Sequence, residues 1–214
     1  MNIRVDADGR AKRLKAATNE THERLDKRIM AAEPFVSRER YGRFVEVQCA
    51  FHRDIHALYE DQALVALLPD LAQRRRLGLI EHDLADLGLA APPSSGPPPF
   101  ASRSDVPAAL GWLYVAEGSN LGAAFLLKEA AKLGLSETFG ARHLAGHPAG
   151  RGLHWRNFTA ALDAVKLSLD EEARAVGAAK AAFARVQGLV EERLPLDGVT
   201  ESREAQAFKD EASA

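Results

Sequence analysis

Cysteine is nearly missing from this chain: Cys49 stands alone among 214 residues. One thiol excludes, within the chain, a structural disulfide, an iron–sulfur cluster, a Cys-x-x-Cys redox pair and a Cys-x-x-Cys-His attachment motif. Excess charge of one sign is missing too. The 28 basic and 30 acidic side chains leave a formal charge of −2, with no basic footprint for nucleic acid. No apolar run approaches the roughly 20 residues of a membrane span. The opening "MNIRVDADGRAKRLK" lacks the apolar centre of a secretory signal, so a cytoplasmic protein is expected. Strand signals are scarce, with no Asn-Gly hairpin dipeptide and no sustained alternation of apolar and polar residues. Several catalytic signatures are absent: the Walker and dinucleotide glycine loops, Gly-x-Ser-x-Gly and His-Glu-x-x-His. None of the seven histidines has Glu three residues before it, which removes the carboxylate-bridged di-iron site of helical bundles.

What remains is helical periodicity in an ordinary mixture of 46% apolar and 27% charged residues. In 10–31, Leu14, Thr18, Thr21, Leu25 and Ile29 recur every three or four residues, and "EPF" at 33–35 closes the helix. Ser37 can cap a second helix, about 38–60, with Tyr41, Phe44, Gln48, Phe51, Ile55 and Leu58 inside. A third is expected at about 70–87, ended by Gly88. "APPSSGPPPFASRSD" (91–105) reads as a long connection within one domain. Asp105 then caps a helix that Gly134 ends; short helices are expected at 136–145 and 154–165. Ser168 and Glu171 form a capping box that opens the last helix, 169–194. The expected fold is all-α, one bundle over 10–194, with a flexible start (1–9) and a loosely ordered tail (195–214).

The first helix holds a polar constellation. His22 shares the apolar spacing of Thr18, Leu25 and Ile29, and Asp26 lies one turn on. A metal-binding histidine usually hands its second ring N–H to such a carboxylate. On this helix alone a core histidine bonded to Asp26 for structure is the preferred reading. Lys15 sits two turns back, roughly 10 Å along the axis. His52 and His56, like His143 and His147, are spaced i and i+4, which is weak evidence for a metal and is read as partly exposed or hydrogen-bonded histidine.

The fifth helix poses the opposite puzzle. "GWLYVAEGSNLGAAFLLKEAAKLG" (111–134) is rich in helix formers, yet Gly118 and Gly122 interrupt it one turn apart. Each internal glycine costs roughly 1 kcal/mol against alanine. Missing Cβ atoms let another backbone or a flat ligand lie directly on the helix.

Three segments resemble the bacterial haem oxygenases: "KRLKAATNETHERL" (12–25), "EGSNLGAAFLLK" (117–128) and "FGARHLAGHPAGRGLHW" (139–155). The resemblance runs from about residue 10 to 194. It implies an all-α fold with haem between a proximal helix bearing a histidine and a kinked distal helix bearing the glycines. It makes His22 the iron ligand and Asp26 the partner of its ring. Gly118, Ser119 and Gly122 match the distal helix. Lys15 and Tyr114 match the propionate contacts of the branch that opens haem at the α-meso carbon. Asn120, Arg76 and His143 match that branch's distal water network, and Phe183 a residue walling the pocket. Glu129 stands where the other branch tends to carry a propionate-binding lysine, and the tail lacks the histidine of some relatives. Arg76 also fits a solvated position in the "RRR" run, and Tyr114, Asn120 and Phe183 fit simple packing.

The implied reaction uses haem as both substrate and cofactor, with O₂ as co-substrate and electrons from a reductase or ferredoxin-like protein. Imidazole is a weaker electron donor to iron than thiolate. The distal helix steers oxygen toward one meso carbon, and the products are biliverdin, CO and ferrous iron. The expected isomer is α, and either iron supply or a bilin-using photoreceptor is open as the destination. A haem carrier or sensor that does not degrade its ligand, and a helical interaction module with no ligand, are the competing readings.

Overall fold

The computed structural model describes residues 9–94, 96–100 and 105–196; the terminal stretches expected to be flexible or loosely ordered lie almost wholly outside these. Among the described residues seven α-helices follow in order: α1 (Arg10–Ala31), α2 (Arg38–Asp54), α3 (Gln62–Leu67), α4 (Leu77–Asp86), α5 (Val106–Ala131), α6 (Arg151–Ala164) and α7 (Leu169–Arg193). No strand occurs among the described residues, as the sequence predicts. α7 is the common wall, packing against α5, α1 and α2, while α6 lies on α5 and α1 and α4 on α2.

Local signals set most boundaries. The Ser37 hydroxyl accepts from Arg40 N, and the Asp105 carboxylate from Ala108 N. Ser168 and Glu171 close the reciprocal capping box on α7, worth about 1 kcal/mol for the serine alone. Gly88 and Gly134 adopt the positive φ that terminates helices (+72° and +73°). α1 differs, because its cap comes from far away. The Asp163 carboxylate accepts from Ala11 N at 2.8 Å, and buried Arg10 bonds Glu172 and the carbonyls of Leu162 and Val165.

Three expected helices are revised. The second stops at Asp54 and passes into a 3-10 turn, His56–Tyr59, that turns Leu58 and Tyr59 inward. The third splits: a 3-10 turn at Leu71–Arg74, extended backbone at Arg75, then α4. Buried polar bonds of Tyr59 and Arg74 outweigh helical continuation at both places. The short helix expected at 136–145 is a tight turn, with Ser136 N bonded to Phe139 O and Gly140 at φ +73°, followed by a 3-10 turn at Arg142–Leu144. The Tyr41 hydroxyl donates to Gly140 O at 3.0 Å and ties this turn to α2. α3, capped by Asp61, has no counterpart in the sequence expectations.

α5 meets α7 most closely at Gly111. A Cβ there would lie 2.8 Å from Ala179 N and closer still to Ala175 O. Both neighbours are backbone and cannot swing aside. Gly111→Ala is therefore expected to destabilise the protein by about 1–3 kcal/mol through overpacking. Urea unfolding checks this, a wild-type midpoint being the contrary result.

Candidate functional site

α1 presents His22 at the margin of its buried stripe. At about 100° per residue, Leu14, Thr18 and Leu25 point inward while His22, Lys15 and Asp26 share the neighbouring face. The spacing predicts a histidine on the buried face alongside Thr18; the structure corrects this, leaving the His22 side chain 56% exposed. Its Nδ1 lies 3.3 Å from Asp26 Oδ2. Partial burial raises the Asp26 carboxyl, and His22 pulls it the other way. Phe183 of α7 meets the imidazole edge-on at 5.9 Å between centroids and is itself buried. The imidazole thus has a carboxylate at one nitrogen and an aromatic brace, the arrangement in which the second ring nitrogen of a metal-binding histidine is left for its ligand. Lys15 is exposed on the same face.

α5 carries Gly111, Tyr114, Gly118 and Gly122 on one stripe by the same helical geometry. The stripe changes character along its length. It is jammed against α7 at Gly111. At Gly118 a Cβ would sit 3.6 Å from the Trp155 indole, an ordinary contact, and around Gly122 nothing lies within 4 Å. Helix–helix packing therefore explains the first glycine, whereas the second and third border an aromatic plane and open space. Tyr114 is buried, with its ring 5.7 Å from Trp155. Ser119 points off the stripe, its hydroxyl donating to Ala116 O at 2.7 Å. Asn120 faces away from the glycines, and its backbone carbonyl accepts from Arg151.

Behind α5 lies a buried polar cluster. Arg76 donates through Nη1 to His143 O. His143 Nδ1 lies 2.7 Å from Asp83 Oδ2, and the Asp83 carboxylate also accepts the backbone N–H groups of Arg142 and His143 at 2.9 Å. Burial alone would raise the Asp83 carboxyl; these bonds outweigh it and hold the group low. Burial lowers His143, against the pull of Asp83. Buried His52 is pushed down to about 3 by desolvation and by Arg76 and His143. Four polar atoms in this region are buried without a partner among the described residues: Arg74 Nε, Arg76 Nε, His143 Nε2 and Asn120 Nδ2. Buried polar atoms are seldom left unpaired, and water is their ordinary partner. Arg76 is accordingly half-buried, not one of a solvated run.

The structure thus joins His22, Asp26 and Phe183, and separately Arg76 and His143; Asn120 lies beside this second group, and Gly118 and Gly122 border the open stripe. The histidine pairs do not converge. His52 is buried while His56 faces Glu60, and His143 is buried while His147 stacks on His154. Among the described residues no group of three or more His, Cys, Asp or Glu is placed to hold a metal ion. Residues the sequence reading missed are Trp155, His52, Asp83 and the Tyr59–Arg74–Glu117 set. Glu117 had a signal: a carboxylate directly after the apolar run "GWLYVA".

An exposed imidazole braced by a carboxylate and an aromatic ring, and a helix bared by glycines beside an indole, sit on an all-helical frame in which both α1 and α5 pack on α7. The Heme oxygenase family model matches residues 100–192. The heme oxygenase PigA of Pseudomonas aeruginosa is 46% identical over 182 residues, covering 85% of this chain and 91% of its own. The NO- and CO-bound heme oxygenase of Neisseria meningitidis superposes with a TM-score of 0.81 at 41% identity, covering 88% of this chain and 93% of that one. The Leptospira interrogans heme oxygenase shares the fold, with a TM-score of 0.71 at 19% identity over 86% and 100% of the two chains. The chain belongs to the haem oxygenase family and is an oxygen-using enzyme of haem degradation. No helix among the described residues is long and apolar enough to cross a membrane.

Buried neutral histidine sets the pH response. His52 titrates at about 3 when folded against 6.5 ordinarily. Between those values the unfolded chain binds more protons, so stability falls as pH drops below about 6.5. The expected slope from this group is up to about 1.4 kcal/mol per pH unit. Asp83, held low, adds a loss only as pH falls below its ordinary carboxylate range. Urea unfolding at pH 7, 6 and 5 checks this, and His52→Gln should flatten the profile.

Proposed function

We propose that haem lies between α1 and α5, with its iron bonded by His22 and its ring opened at the α-meso carbon. The observation that carries this reading is the exposed His22 imidazole, supported by Asp26 at one nitrogen and braced by Phe183. The distal residues fit the same group, since the Gly118–Gly122 stripe is open and the orphaned atoms of Arg76, His143 and Asn120 call for ordered water. When bound, haem supplies both the iron that takes up O₂ and the ring that is oxidised, yielding biliverdin, CO and ferrous iron.

The chain's own residues have four tasks. Asp26 orients His22 and keeps its second nitrogen free as a neutral donor. Lys15 and Tyr114 hold the propionates and so fix the rotation of the ring. Gly118 and Gly122 leave space beside the iron, with Trp155 and Phe183 walling the cleft. Arg76, His143 and Asn120 hold the water that relays protons. Glu129 supports the α choice: it pairs with Lys132 at 2.7 Å and offers a propionate no cation. Electrons would come from a separate reductase or ferredoxin-like protein.

Anaerobic titration with hemin, followed by air and a reductant, tests the function. A Soret band should form and then fade as a green product accumulates; a carrier would keep the band, and a ligand-free module would never show one. His22→Ala should lose the axial bond and reduce turnover by at least tenfold, and unchanged turnover would refute the ligand assignment. Gly118→Leu should drive its side chain into Trp155 and suppress O₂ binding with the helices intact by circular dichroism. Chromatography of the wild-type product should give the α isomer; β or δ biliverdin overturns the roles of Lys15 and Tyr114.

A further inference from the structure

Glu117 is a carboxylate 3% exposed in the middle of an apolar helix, immediately before Gly118. Its Oε2 accepts from Arg74 Nη1 at 3.0 Å and its Oε1 from the Tyr59 hydroxyl at 3.0 Å. Arg74 can only donate, which favours the carboxylate form. Burial nevertheless leaves Glu117 above its ordinary value, against the pull of Arg74, Arg76 and Tyr59. A buried ion pair is a poor source of stability relative to apolar packing. Its position suggests a different use.

Arg74 binds in two directions. Besides Glu117 it donates to Asp70 at 2.6 Å and to the His154 carbonyl at 2.9 Å, and its guanidinium lies 5.3 Å over the Phe158 ring. His154 directly precedes Trp155, whose indole borders Gly118. One planar fork therefore grips the neighbour of Gly118 on α5 and the neighbour of Trp155 on α6. The other charged or titratable groups around it are the His154 imidazole, whose Nδ1 lies 3.4 Å from Arg74 Nη1 and which desolvation and Arg74 push down to about 4, His147 stacked on it, Arg76 at the start of α4 and Arg151 on α6.

We propose that Glu117 and Arg74 are positioning residues of the haem reaction: together they fix the gap between the Gly118 backbone and the Trp155 indole, and the Glu117 charge balances Arg74 and Arg76 beside the distal water. This rests on the haem reading above. The two functions separate by substitution. Glu117→Gln keeps shape and removes charge; Arg74→Lys keeps charge and removes the planar fork.

Two measurements on haem-loaded protein and one on apoprotein test it. The alkaline form of the ferric complex carries one more negative charge. Removing the Glu117 charge should therefore favour it, lowering the midpoint between the acid and alkaline visible spectra by about half a pH unit or more, an order-of-magnitude expectation for one charge in a protein interior. Arg74→Lys should leave that midpoint within about 0.2 units, since the charge is unchanged, but release more than one biliverdin isomer. In a Trp112→Phe background, where Trp155 is the sole tryptophan, Arg74→Lys should shift the emission maximum of the apoprotein. An unmoved midpoint in Glu117→Gln overturns the charge role, and a wild-type isomer pattern in Arg74→Lys overturns the positioning role. Should Glu117→Gln take up no haem, the isomer pattern and emission of Arg74→Lys decide the matter. A wild-type protein that forms no haem complex refutes the functional reading instead, while the apoprotein emission still tests the Arg74 clamp.

Discussion

The backbone contact at Gly111 governs where α5 can lie. With no Cβ in the way, α5 settles onto the Ala175–Ala179 turn of α7, and the rest of its length is aimed from that point. The same helical stripe then runs past Tyr114 and the indole beside Gly118 to the open space at Gly122. A helix standing further off α7 would carry the glycines to a different place. α7 also braces His22 through Phe183, so both sides of the cleft are measured from one helix. Sterics at a point some two turns from Gly118 thus bear on the geometry of the site.

Polar burial adds a second layer. Behind α5 the chain spends buried arginine, histidine and carboxylate groups on bonds between segments distant in sequence: Tyr59 and Arg74 to Glu117, Asp83 to His143, Arg76 to the His143 carbonyl. Such networks reward full satisfaction and punish gaps. Among the described residues seven buried side-chain atoms lack a partner; those of Arg76, His143 and Asn120 lie together behind α5, with Arg74 Nε close by, while Arg28, His56 and Arg193 lie elsewhere. The grouped gaps are the ones a shared set of waters could fill.

Legibility in the sequence followed the range of the interaction. Helices with local caps, α2, α5 and α7, were readable from Ser37, Asp105 and the Ser168–Glu171 pair. His22, Asp26 and the glycines were readable because spacing alone puts them on faces, and the family resemblance gave those faces a purpose. Where long-range bonds override propensity, reading failed: the helix break at Ile55, the split around Arg75 and the turn at 136–140 each answer to partners many residues away. Periodicity also placed His22 among core residues, because a stripe about 100° wide blurs its own margin. Trp155 could not be assigned because its contact with Gly118 exists only once α6 is laid on α5.

The borrowed cap on α1 has a consequence for biosynthesis. Arg10 and the first turn are secured by Asp163, Leu162, Val165 and Glu172, more than 150 residues further along. A ribosome delivers the earlier segment first, and those anchors follow only after more than 150 further residues. The His22 segment of a nascent chain is therefore exposed before the residues that hold α1 exist, and its docking waits on α6 and α7.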